Sequence, residues 1–126
     1  MSWIKDERTE VATLLGGAGF TAFDHVPSRP IPPFAMVVPG SPYLEGGDTF
    51  GGKTLRFDVW VIAGQGDTSA LSDALDDQIV TAIAALEADD LHVESVSQPI
   101  EWKPSTGGTF LATVIGTALE VTPPTP

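Results

Sequence analysis

Thr54-Leu-Arg-Phe-Asp-Val-Trp-Val-Ile-Ala63, then Gly64-Gln-Gly66, then Asp67 to Leu86, is the passage whose reading decides the fold. In its first part Leu55, Phe57, Val59, Val61 and Ala63 alternate with Arg56, Asp58, Trp60 and Ile62. Successive side chains of an extended chain point to opposite faces, so this period of two predicts a strand with one well-buried side. Two glycines interrupt it. The spacing then turns helical, with Leu71, Leu75, Ile79, Ala82, Ile83 and Leu86 on one stripe and Ser72, Asp73, Asp76 and Asp77 opposite. Asp67, Thr68 or Ser69 can serve as the N-cap, and an acid at that end complements the helix dipole. Strand and helix each reach about 30 Å, from a rise of about 3.3 Å per strand residue and about 1.5 Å per helix residue. Apolar stripe therefore stacks on apolar face, which is half of a two-layer α+β domain.

Upstream, Ser2 to Leu15 reads as an amphipathic helix with Ile4, Val11, Leu14 and Leu15 inward, stopped by Gly16, Gly17 and Gly19. Pro27-Ser-Arg-Pro-Ile-Pro-Pro33 must run extended, since each proline fixes φ and lacks a donor. Phe34 to Val38 is a short strand closed by Pro39-Gly40. Ser41 to Lys53 then reads as a long loop with Gly46, Gly47, Gly51 and Gly52, beyond the usual hairpin length. Tyr43, Leu44 and Phe50 make it apolar for a loop tip, and it is expected to be a contact surface. Downstream, Leu91 to Gln98 is a third strand ended by Pro99. Ile100 to Gly108 is a turn region carrying Trp102, a further candidate contact residue. Phe110 to Val121 is the last strand, about 40 Å long, expected to outrun its partners and to bend or bulge at Gly116.

The order helix, strand, loop, strand, helix, strand, strand predicts an α+β fold. It would be a single two-layer domain over 1–121, with residues 122–126 a flexible tail. Its sheet would have about four strands, mostly antiparallel or mixed, with two helices on one face. Phe110 to Val121 is apolar on both faces, more than one helical layer covers, so self-association is expected.

A chain of 126 residues makes one domain and buries roughly two-thirds of its unfolded surface. Without cysteine there is no disulfide, thiolate metal site or cysteine nucleophile, and without asparagine no N-glycosylation site. The start, Met-Ser-Trp-Ile-Lys-Asp-Glu-Arg, is too charged for a signal peptide, and the longest apolar run, Phe110 to Leu119, is short of the ~18 residues that span a bilayer. The expected product is cytosolic and needs no membrane. Seventeen acids against six bases give a formal charge of −11, with eight acids and no base between Asp67 and Glu94. Such a surface repels nucleic acid and anionic lipid. It serves solubility, or it lets a component sit beside DNA without sticking.

Two stretches look like nucleotide sites. Gly47-Asp-Thr-Phe-Gly-Gly52-Lys53-Thr54 matches G-x-x-x-x-G-K-[ST], but the pattern works at a helix N-terminus and here it runs into a strand. Gly64-Gln-Gly66-Asp-Thr-Ser69 lies between strand and helix, yet Ser69 replaces the third glycine and Asp67 puts negative charge where a pyrophosphate would lie. His25 and His92 lack partners at helical spacing, and a metal site needs three or four converging groups. No G-x-S-x-G elbow occurs, and Asp76-Asp77, adjacent on a helix, do not face each other. The reading is a non-enzyme without cofactor or metal; a small nucleotide-binding enzyme on residues 47–54 is the alternative from another class.

Asp24-His-Val-Pro27, Ile31-Pro-Pro-Phe-Ala-Met-Val-Val-Pro-Gly40, Ser41-Pro-Tyr43, Gly47 to Phe50, Leu55 to Ala63, Leu75-Asp-Asp77 and Ser95-Val-Ser-Gln-Pro99 follow one another in an order that resembles the tail terminator (tail completion) proteins of long, non-contractile-tailed phages, especially those of actinobacterial hosts. The likeness runs from Ser2 to Val121 as ordered short phrases, without a catalytic signature. It implies a small α+β subunit forming a ring, with six members, on the end of the tail tube. That ring would stop polymerisation of the major tail protein, offer a surface to the head–tail connector proteins, and let DNA pass through its lumen unheld. The implied location is the head-proximal end of the virion tail, after assembly in the host cytoplasm. Head–tail joining (neck) proteins share this size and composition and are the near alternative.

Overall fold

The computed structural model describes residues 3–27, 31, 33–46, 52–65, 69–89, 91–103 and 109–121. Its elements in chain order are α1 (Trp3–Gly17), β1 (Ala22–Phe23), β2 (Phe34–Gly46), β3 (Lys53–Gln65), α2 (Ser69–Ala88), β4 (His92–Val96), β5 (Ile100–Trp102) and β6 (Phe110–Val121). Among the described residues the sheet has six strands in the order β1-β2-β3-β6-β4, with β5 beside β4 along the outer margin of β6. All neighbours run antiparallel except β1 and β2, which are parallel. The fold is α+β, a mixed and mostly antiparallel sheet with two helices.

Two strands exceed the expected four. β1 has two residues and β5 three, too short for a period of two to register in sequence. The region Ile100 to Trp102 is thus a strand where a turn was expected. Ser41 to Lys53 is also not one long loop: β2 runs on to Gly46 and β3 begins at Lys53. Pro39-Gly40 therefore does not close β2. The strand absorbs the prolines through a register shift between Pro39 and Leu44 against β3. Nor does β6, at 12 residues, outrun β2 and β3, which have 13 each. The bulge near Gly116 lies in the neighbouring strand, between Val93 and Ser95 of β4.

One face of the sheet carries the main core. Leu55, Phe57, Val59, Val61 and Ala63 of β3, with Ala35 and Val37 of β2 and Leu111 and Ile115 of β6, meet Val11, Ala12 and Leu15 of α1 and Leu75, Ala82 and Leu86 of α2. Leu71, Ile79 and Ile83 flank the α2 contact, as the stripe predicts. Each fully buried aliphatic or aromatic side chain here contributes about 1.5–3 kcal/mol. Among them the buried Thr117 hydroxyl is satisfied, donating to the Phe57 carbonyl at 3.0 Å.

α1 ends two residues beyond the expected Leu15, in a paired-carbonyl stop. Phe20 N–H donates to the Leu15 carbonyl at 3.1 Å and Gly19 N–H to the Gly16 carbonyl at 3.2 Å. Gly19 has a φ of 104°, a left-handed conformation that glycine adopts without a Cβ clash. The turn delivers the Thr21 carbonyl to the Ala35 N–H at 2.9 Å, so the end of α1 seats β1 against the start of β2.

β1 pairs with β2 only at Ala35 and Met36. Beyond Met36 the outer margin of β2 has no strand partner among the described residues, and Pro39 and Pro42 remove backbone donors within that stretch.

Candidate functional site

The other face of the sheet carries no helical residue in its buried cluster, and the strand register lays it out row by row. Trp102 lies opposite Phe110. The next row is Phe34, Ile62, Ala112 and Ile100, then Met36, Trp60 and Val114, with Phe23 beside Met36. Val38, Asp58, Gly116 and Ser95 form the fourth row. Below it lie Arg56, Ala118 and His92, and finally Glu45, Thr54 and Glu120. One half of the face is thus apolar and largely aromatic, the other charged. Asp58 sits on the boundary.

The apolar half closes partly on itself, which corrects the expectation of a bare second face. Phe34, Met36, Ile62, Phe110 and Ala112 are buried within the subunit. Phe23 and Trp102, at opposite margins of the sheet, turn their rings onto Phe34 at centroid distances of 5.8 and 5.9 Å, both edge to face. Phe110 lies 5.6 Å from Trp102. A twisted sheet curls its margins toward one another, and edge-to-face rings suit that curvature. What stays half-exposed is the shell around this cluster: Val38, Trp60, Ile100, Trp102 and Val114.

In the charged half, Arg56 is held by two carboxylates. Its Nε donates to Glu94 at 3.0 Å and its Nη1 to Glu45. These bonds hold the guanidinium pKa above its ordinary value. The β4 bulge makes this possible, because an extra residue opposite β6 leaves both Glu94 and Ser95 on the same side as His92. Thr54 Oγ1 donates to Glu120 Oε1 at 2.6 Å. These groups border an open hollow of about 530 Å³. Among the described residues no trio of His, Asp or Glu converges as a metal site.

Burial pushes the Asp58 carboxyl above its ordinary pKa, and no neighbouring charge opposes the shift. Arg56, two residues away on the same face, is occupied by Glu45 and Glu94. The folded chain therefore keeps the Asp58 proton to higher pH than the unfolded chain. Stability from this group is present at low pH and falls as pH rises from the unfolded value through the folded one. Asp58→Asn is expected to raise Tm near neutral pH. The gain should shrink to nothing below about pH 4, where the carboxyl is protonated in both states. Calorimetry across that range checks it; a gain independent of pH would mean that the carboxylate charge is not the cause.

Of the four contact residues expected from sequence, the three that are described, Tyr43, Leu44 and Trp102, lie at different places on the sheet. Trp102 docks on the aromatic cluster of the second face. Tyr43 belongs to β2 rather than to a loop, packs on the helix-side core with its ring 6.0 Å from Phe57, and accepts a hydrogen bond from Arg8 Nη1 at 3.4 Å. Leu44, also in β2 and opposite Leu55, is 38% exposed at the end of that helix-side face. Phe50 lies outside the described residues, as do Asp67, Thr68 and the 122–126 tail. Lys53 and Thr54, the last two positions of the nucleotide-like pattern, open β3 and pair with Gly46 and Glu45, so no helix begins there. Asp58 and Trp60 escaped notice because their alternation with the core residues marked them only as the solvent side. The signal was one unpaired acid flanked on its own face by an arginine and a tryptophan.

A second hollow, of about 460 Å³, lies between the turn after α1 and α2, lined by Phe20, Thr21, Ile31, Asp77, Gln78 and Thr81 among others. Gln78 Oε1 is buried there without a hydrogen-bond partner among the described residues. No helix is long and apolar enough to cross a membrane among the described residues. No protein-family model and no curated protein matches the chain.

Proposed function

We propose that this protein is a tail terminator of a long, non-contractile-tailed phage. In this reading copies of the chain form a ring, with six members, on the end of the tail tube. The ring stops addition of the major tail protein and meets the head–tail connector. The observation that carries the reading furthest is the second sheet face, where Val38, Trp60, Ile100, Trp102 and Val114 form a half-exposed apolar shell with, among the described residues, no helix packed on its buried centre. A rigid strand platform with aromatic anchors is the anatomy of a docking surface. Three of the phrases that carry the family resemblance supply strands of this sheet: Phe34 to Gly40 lies in β2, Leu55 to Ala63 in β3, and Ser95-Val96 ends β4. The acid-rich α2, with Asp73, Asp76, Asp77 and Glu87 and no base, suits a wall beside passing DNA, since like charge prevents sticking.

The test is electron microscopy of purified protein, alone and with tail tubes isolated from a terminator-deficient phage. Rings with a central opening and tubes capped at one end are expected. A protein that stays monomeric at high concentration and leaves the tubes growing would sink the reading. Trp60→Asp should retain the fold, because Trp60 is only half-buried. It should weaken capping by about 30-fold or more, the loss typical of an aromatic anchor at an interface centre.

A further inference from the structure

Asp58 stands at the boundary between the apolar and charged halves of the second face, and its surroundings define what can cover it. It sits between Val38 and Gly116 in its row, with Trp60 next to it along β3. The Ser95 hydroxyl closes over Gly116, with the Asp58 carboxylate beside it: a Cβ there would meet Ser95 Oγ at 2.9 Å and lie 4.0 Å from Asp58 Oδ1. Among the described residues no hydrogen bond or ion pair engages the Asp58 carboxylate, and Arg56 on its face is held by Glu45 and Glu94. A partner surface laid over Trp60 and Val38 removes Asp58 from water as well. An unpaired carboxylate so covered is strongly disfavoured, and a purely apolar partner is thereby rejected.

We propose that Asp58 is the socket for a lysine or arginine of a partner protein, its stem laid against Val38 and its charged head between the Asp58 carboxylate and the face of Trp60. The inference rests on the second face being a docking surface, as the terminator reading has it, and it names what that face selects. Charge identifies the occupant. A chain of formal charge −11 repels nucleic acid and anionic lipid, so the cation comes on a protein. The chain itself has only six bases, with Arg56 already held, so a second copy brings mainly acid to this face. The occupant is a different protein, one that sets a basic side chain in apolar surroundings. A cation over an indole and beside a carboxylate gains from both, which makes the contact selective for charge as well as shape.

The probe is n-butylguanidinium chloride, titrated into the isotopically labelled full chain at neutral pH, with n-butanol and sodium chloride as controls. Saturable NMR shifts are expected at the Trp60 indole N–H and the Gly116 amide. They should weaken by about fivefold in Asp58→Asn, the upper end for a part-exposed ion pair. Equal titration of wild type and Asp58→Asn overturns the socket, as does a response centred on Glu45, Glu94 and Glu120. Sedimentation of the protein alone tests the occupant: self-association that Asp58→Asn abolishes makes it a second copy and overturns the assignment to a different protein. The two proposals separate cleanly in the tube assay. Capping indifferent to Asp58→Asn removes the socket and leaves the terminator reading. A saturable guanidinium site on a protein that caps nothing removes the terminator reading and leaves the socket.

Discussion

Phe57→Ala should lower the stability of the folded chain by about 3–5 kcal/mol, the usual cost of emptying an aromatic site in a packed core. Phe57 is 0% exposed, at the centre of β3, with its ring edge-on to Tyr43 at 6.0 Å. Its strand neighbours are Pro39 and Thr117, and the Thr117 hydroxyl bonds its carbonyl. Neighbours held in this way collapse poorly into a vacated space, so the cavity persists and its cost adds to the lost transfer energy. Domains of this size have about 5–15 kcal/mol in total, so the variant should sit close to its unfolding midpoint. Urea denaturation followed by circular dichroism measures it. A loss under about 1 kcal/mol would mean that the helices do not pack on β3 as described.

Phe34→Ala should cost about as much, roughly 3 kcal/mol or more, yet by a different route. Phe34 is 1% exposed on the opposite face, and it is the ring onto which Phe23 and Trp102 both close. Removing it takes away two edge-to-face contacts, each worth about 0.5–1.5 kcal/mol, besides its own burial. The helix side contributes no residue to that cluster. The variant should therefore keep its helical signal under native conditions while the emission of Trp102 shifts toward that of a solvated indole. Trp102→Phe as a background identifies which tryptophan reports. Unchanged emission together with unchanged stability would mean that the second cluster is not closed by its margins.

The helix-side layer was legible because it repeats. Five residues of β3 alternate inward and six of α2 recur at helical spacing, and these eleven need only local periodicity to be placed. The second face was not legible for a physical reason. Its closure depends on Phe23 and Trp102, residues 79 positions apart in the chain, meeting over Phe34, and no local pattern encodes that meeting. β2 was read too short because proline and glycine usually end strands. Here the register shift between Pro39 and Leu44 lets the strand continue. Tyr43 followed from the same misreading: on a loop it looks like a contact residue, and on a strand it becomes a lid for Phe57. The Arg56 clamp needed the β4 bulge, which turns Glu94 and Ser95 to one side and has no signature in an alternation of His92, Val93, Glu94 and Ser95.

The proline-bearing margin of β2 limits how its sheet could be extended by another strand. A sheet grows by backbone zippering only where consecutive donors and acceptors face outward, and Pro39 and Pro42 break that series. The margin is a dead end for cross-β stacking. Whatever assemblies this protein makes through that side must be held by side chains, whose contacts dissolve and re-form with dilution and salt. Subunits can then sample wrong neighbours and leave them, which is how a closed assembly corrects its own errors before it is complete.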